Sequence, residues 1–174
     1  HPDKHISTFA YQYTRGVPTG ITPRDNVVIR LCSIECCFGH PLDGCDHNKP
    51  FMEDIRKWKD VAGKLFIWDY VTNFRQYLAP FPNFNVLAPN IKTFIDHNVI
   101  GIYEEGQYQS TGGSFADLRP WVLNNLLWNP EQDTMSLVDD FIGGYYGAAA
   151  PYVRKYFNLC HKQLKDDMVL DIYY

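Results

Sequence analysis

Acidic residues recur at the ends of segments that read as β-strands. Glu35 closes the run 26–35, Asp69 sits within Phe66-Ile67-Trp68-Asp69-Tyr70, and a glutamate pair lies in Tyr103-Glu104-Glu105-Gly106-Gln107. Aromatic residues crowd the same stretches: Tyr11, Tyr13, Trp68, Tyr70, Phe74, Tyr103 and Tyr108. Two carboxyl groups of unequal proton affinity, one protonated and one ionised, are the equipment for cutting a glycosidic bond. Aromatic walls serve that chemistry twice, by desolvating one acid and raising its pKa and by stacking on sugar faces. Asp69 leads the candidates, because an idle charge in an otherwise apolar strand is costly. Alternation puts Glu104 with Ile102 and Glu105 with Tyr103 and Gly101, and leaves open which of the two joins Asp69. The catalytic candidates are therefore Asp69, Glu104 and Glu105. The substrate-binding candidates are Tyr11, Tyr13, Glu35, Trp68, Tyr70 and Tyr103. Glu35 taken alone reads equally well as a solvated group or as the partner of Arg30 or Arg75.

These residues have to be positioned by the elements that carry them. Strands are expected over 6–13, 26–35, 64–71 and 99–105, each rich in β-branched or aromatic residues and bounded by Gly, Pro or Asn. Helical spacing alternates with them. Phe51, Ile55, Trp58 and Ala62 share one face after Pro50, with Gly63 as the stop, and Ile91, Phe94 and Ile95 make a shorter turn pair ended by Asn98. The stretch 75–89 before that short helix reads as a long loop of the kind that covers a site. Leu118, Trp121, Val122 and Leu126 trace a further helix, with Asp117 as its cap and Pro120 at a position that needs no internal donor. Two more helices follow, over about 133–145 and 151–165. In parallel α/β architectures the working groups lie at the carboxyl ends of the strands, which is where the acids fall.

Four βα steps followed by helices are half of an eight-stranded barrel, and a full barrel typically takes about 250 residues. The expected fold is thus α/β, the C-terminal half of a (β/α)8 TIM-type barrel over 1–128 with a helical C-terminal extension over 129–174. A self-contained open sheet of four parallel strands is the alternative. Lys plus Arg number 16 against 20 for Asp plus Glu, a net charge of −4, so nucleic acid is not an expected partner. No apolar run approaches the roughly 18 residues that cross a bilayer. Five cysteines are an odd count, four of them within 32–45. Cys37 with His40 and Cys45 with His47 could make a tetrahedral zinc site. The spacing is irregular, however, and a local bridge from Cys45 to Cys36 or Cys37, or reduced thiols, ranks ahead of it. No metal and no cofactor is assigned. His40, His47 and His97 read as loop or surface residues.

Several separated stretches resemble a bacterial domain family of undetermined function that accompanies carbohydrate-degrading systems. They are Phe9-Ala10-Tyr11-Gln12-Tyr13-Thr14, Ile34-Glu35-Cys36-Cys37-Phe38-Gly39-His40-Pro41-Leu42, Ile67-Trp68-Asp69-Tyr70 with Asn73-Phe74, Pro80-Phe81-Pro82-Asn83 and Tyr103-Glu104-Glu105-Gly106. Leu127-Trp128-Asn129-Pro130 and Tyr145-Tyr146-Gly147 complete the set. The resemblance covers almost the whole chain. It implies a barrel similar to those of α-glucuronidases and β-hexosaminidase-like glycosidases, the Leu-Trp-Asn-Pro turn being closest to the former. It further implies a longer parent whose N-terminal half completes the barrel and supplies part of the site, and an exported protein, which suits a disulfide near Cys45. The expected activity is glycoside hydrolysis on polysaccharide or oligosaccharide, with Asp69 and the glutamate pair on the base or nucleophile side. The rivals are a carbohydrate-binding barrel without catalysis and a metal-dependent hydrolase using the Cys/His loop.

Overall fold

The computed structural model describes residues 3–173. His1, Pro2 and Tyr174, which belong to the terminal stretches read above, lie outside the described residues. The architecture is a mixed α/β arrangement around one four-stranded parallel sheet. Strands β1 (Ile6–Ala10), β2 (Val27–Cys32), β3 (Leu65–Tyr70) and β4 (Val99–Glu105) lie side by side in chain order. Helix α1 (Lys49–Val61) connects β2 to β3, and α2 (Phe84–Asp96) connects β3 to β4. Helices α3 (Leu118–Trp128), α4 (Thr134–Tyr146) and α5 (Ala150–Gln163) follow the sheet.

Sequential order with right-handed crossovers sends successive helices to the same side of a sheet. The burial pattern agrees. Ile29, Leu31, Leu65 and Ile67 are almost wholly buried and join Phe51, Ile55, Trp58 and Phe94 of α1 and α2 in one core. On the opposite face Phe9 and Tyr103 remain about half exposed, at 51% and 46%. A second core lies between α2, α3, α4 and α5, built on Phe84, Leu118, Val122, Leu126, Val138 and Phe157. The sheet is thus covered by helices on one side and open on the other.

Three expected boundaries move. The first strand stops at Ala10, and Tyr11 leads into a single 3-10 turn, Gln12–Thr14, in which Gln12 takes a positive φ of 48°. The second strand stops at Cys32, so Glu35 belongs to the loop beyond it. Helix α2 begins at Phe84, well inside the stretch read as a loop, and contains Pro89. A proline there withdraws the donor for the carbonyl of residue 85. Asn85 is exposed, so water can satisfy that carbonyl, while Phe84, Val86, Leu87 and Ala88 are buried and hold the turn in place. At α3, Asp117 stands at the cap without a capping hydrogen bond and accepts one from the Tyr145 hydroxyl at 3.2 Å instead.

The extension is helical only to Gln163. Beyond it the chain lies over the carboxyl ends of the strands. The Phe38 N–H donates to the Leu170 carbonyl and the Phe74 N–H to the Ile172 carbonyl, both at 2.8 Å. Leu170 and Ile172 are buried in the first core.

Candidate functional site

Register decides which acids meet. Asp69 of β3 pairs with Glu104 of β4, and Tyr70 pairs with Glu105. Partners in a parallel pair point to the same face and successive residues to opposite faces. Asp69 and Glu104 therefore share the helix-covered side with Ile67 and Ile102. Glu105 shares the open side with Tyr70, Trp68 and Tyr103. The three acids named from the sequence are divided two and one by the sheet itself.

On the covered side Asp69 is buried and Glu104 partly so. Asp69 is 5% exposed and accepts a short hydrogen bond from the Ser33 hydroxyl. Burial raises its pKa to about 6, against the opposing pull of the Ser33 hydroxyl and the Tyr70 backbone N–H. Burial also pushes Glu104 well above the ordinary carboxyl range, and the charge of Asp69 pushes it further. One Glu104 oxygen, Oε2, is buried with no hydrogen-bond donor to satisfy it. A carboxylate in that position would be an uncompensated buried charge, so Glu104 is the member that keeps its proton.

The open side carries a different set. Phe9, Arg30, Phe66 and Gly101 form one register row across all four strands, and Cys32, Trp68 and Tyr103 form another. The Arg30 guanidinium lies over the Phe9 and Phe66 rings at 5.8 and 5.2 Å. Trp68 sits between Phe9, at 5.2 Å between ring centroids, and Tyr103, at 4.3 Å. Its indole Nε1–H donates to Glu105 Oε2 at 2.6 Å. Gly101 is required here, since a Cβ at that position would come within 2.5 Å of the Phe66 ring. A depression of about 240 Å³ opens at the carboxyl end of this face, lined by Phe9, Tyr11, Cys32, Trp68, Tyr70 and Glu105.

Around the depression the remaining candidates take distinct positions. Tyr11 lines it, and its hydroxyl pKa is raised first by burial and then by Tyr173, Cys32, Glu35 and Glu105. Tyr70 is buried against Phe38 and Phe74, and burial raises its hydroxyl as well. Cys32, next to it, is pushed up to about 11 by burial. Tyr13 is 96% exposed and does not line the depression. Glu35 is held by Arg15 Nη1 at 2.6 Å, and the same guanidinium donates through Nε to Asp54 at 2.7 Å. Sequence reasoning offered Arg30 and Arg75 as partners for Glu35 and missed Arg15. It also passed over Phe9 and Arg30 as site residues, although the alternation that places Trp68 and Tyr103 together places these two beside them.

A larger depression, about 450 Å³, lies between α5 and the residues around Pro80. Leu159, Leu164, Met168 and Val169 line it with hydrocarbon and offer little to sugar hydroxyls. All five cysteines are free thiols. Among the described residues no helix is long and apolar enough to cross a membrane.

No curated protein and no solved structure matches the chain. A family model described as a domain of unknown function, DUF4838, matches residues 1–158. That match takes in the whole sheet, the open face and most of the helices behind it, and the chain belongs to the DUF4838 family.

Proposed function

We propose that the open face of the sheet is the sugar-binding wall of a glycoside hydrolase, within one half of a (β/α)8 barrel, and that Glu105 is its sugar-facing carboxylate. The observation that carries this reading is the hydrogen bond from Trp68 Nε1 to Glu105 Oε2 at the mouth of an aromatic depression. Rings with polar edges stack on sugar faces, and the groups beside them fix orientation. A carboxylate that accepts an indole N–H is set to attack an anomeric carbon or to activate water. The proton donor to the leaving oxygen is then a second carboxyl group, supplied across the depression by the strands that close the barrel. Sequential parallel order with helices on one side is the geometry such closure uses, and β1 and β4 are the edges available for it.

The division of the acids favours a second reading. Asp69 and Glu104 occupy the covered side, which leaves Glu105 as the one strand carboxylate beside the rings, an arrangement that suits carbohydrate binding without hydrolysis. A screen of the full-length protein against chromogenic glycosides and uronides, with sugar binding followed by tryptophan fluorescence, separates the two. Turnover abolished in Glu105→Gln supports the hydrolase. Saturable binding without turnover supports the binding module. A protein that neither binds nor cleaves any sugar in the panel overturns both.

A further inference from the structure

The loop from β2 to α1 brings three metal-ligating side chains to one point. The ligand atoms of Cys37, His40 and Cys45 all lie within 4.8 Å of one another. Cys37 Sγ is 3.3 Å from His40 Nδ1. In a tetrahedral centre with Zn–S of about 2.3 Å and Zn–N of about 2.0 Å, neighbouring ligand atoms stand roughly 3.5–3.8 Å apart. The observed cluster needs only small side-chain adjustments to reach that geometry.

The surrounding backbone is arranged for sulfur ligands. Buried Asn48 clamps Cys37 from both sides, accepting its N–H at 2.7 Å and donating to its carbonyl at 3.0 Å. The Leu170 N–H donates to Cys37 Sγ at 3.4 Å. The Asn48 N–H donates to the Cys45 carbonyl at 3.0 Å and fixes the backbone beside the second thiol. A backbone donor aimed at sulfur, as Leu170 N–H is at Cys37, orients a thiolate as the outer partners of a metal centre do. His47 is not part of this cluster, and its Nε2 lies 3.1 Å from the Glu35 carbonyl.

We propose that Cys37, His40 and Cys45 form a zinc site with three protein ligands. Thiolate and imidazole together select zinc over harder cations. The two thiols lose their protons to solvent as the ion binds, and His40 coordinates as neutral imidazole, so no electron is transferred. The fourth position faces a cavity of about 470 Å³ that His40 and Cys45 line together with Asp166 and Asp167. Water from that cavity completes the tetrahedron. Through the Leu170 N–H bond to Cys37, the ion fastens the chain that crosses the carboxyl ends of the strands to the β2–α1 loop. This site is separate from the open face and does not depend on the sugar reading. It also reverses the ranking that the irregular spacing suggested, because the third ligand is His40 and the loop is held by buried hydrogen bonds.

The test is titration of metal-free, reduced protein with Co2+ and then Zn2+. The expected result is a thiolate-to-cobalt charge-transfer band and intense tetrahedral visible bands that saturate at one equivalent and vanish when Zn2+ displaces the cobalt. His40→Ala and Cys45→Ser each lose the bands, and Cys160→Ser keeps them. His40 and Cys45 are partly exposed, and circular dichroism checks that both variants fold. Failure of the folded wild-type protein to saturate at one equivalent overturns the proposal, as do unchanged bands in Cys45→Ser. A Cys37–Cys45 disulfide that persists under reductant also overturns it.

Discussion

Asp69 and Glu104 are register partners on adjacent strands on the helix-covered side of the sheet, Asp69 buried and one Glu104 oxygen shut off from solvent. Such a pair holds a proton that the unfolded chain releases at ordinary carboxyl pKa values. The native state therefore binds more protons than the unfolded state once pH exceeds about 4. Stability contributed by the pair is complete below that point and is lost as pH rises through about 6 for Asp69, and further on for Glu104. Glu104→Gln removes the coupled proton and keeps the shape. Urea unfolding between pH 5 and 8, chosen as roughly the range in which native stability peaks, is expected to show a flatter profile in this variant and a higher midpoint at the alkaline end.

Ser33 supplies the hydroxyl that lets Asp69 carry charge. Ser33→Ala leaves that carboxyl with less hydrogen bonding in a buried setting and is expected to destabilise by about 1–3 kcal/mol. The loss is largest at neutral pH, where Asp69 is ionised, and shrinks in acid. Paired unfolding curves at both pH values check this, and an equal loss at each would show that Ser33 does not act through Asp69.

Trp68 has two tasks on the open face, as a ring between Phe9 and Tyr103 and as the donor to Glu105. Trp68→Phe keeps a ring and removes the donor, whereas Trp68→Ala removes both. On the proposed sugar-binding role of this face, affinity is expected to fall about tenfold in Trp68→Ala, from a stacking loss of about 1–1.5 kcal/mol, and less in Trp68→Phe. Turnover, where present, should fall in both. Calorimetric titration with oligosaccharide separates these outcomes.

Gly101 lies directly beneath the Phe66 ring, which in turn carries Arg30. Gly101→Ala forces the ring aside and is expected to destabilise by roughly 1–3 kcal/mol through overpacking. A thermal melt measures the loss. An unchanged melting temperature would mean that the ring moves without resistance.

Arg119 is 4% exposed, and among the described residues no acidic group accepts from it. Its guanidinium donates to the Asn83 side chain and to the carbonyls of Phe81 and Ser114, and it lies 4.6 Å over the Phe84 ring. Arg119→Met keeps the hydrocarbon and leaves buried acceptors without donors, a change expected to cost about 2–4 kcal/mol. Denaturant unfolding checks the size of that loss.

The alternation of β-rich and helical segments is written locally, and from it came the parallel sheet and the approximate place of its four strands. Pleat alternation also separates Glu104 from Glu105 without reference to anything distant. Which of them faces the open side is another matter, because that depends on where α1 and α2 pack, and packing joins residues far apart in the chain. The same holds for the partner of Glu35, since Arg15 is twenty positions away, and for α2, whose Pro89 is tolerated only because buried neighbours hold the turn around it. The sequence offered His40 and His47 alike as ligands, and the folded loop turns one toward the two thiols and the other toward a carbonyl. Local propensity needs only a few neighbours to be read. Facing, pairing and proton affinity are set by burial, which does not exist until the sheet and its helices have come together.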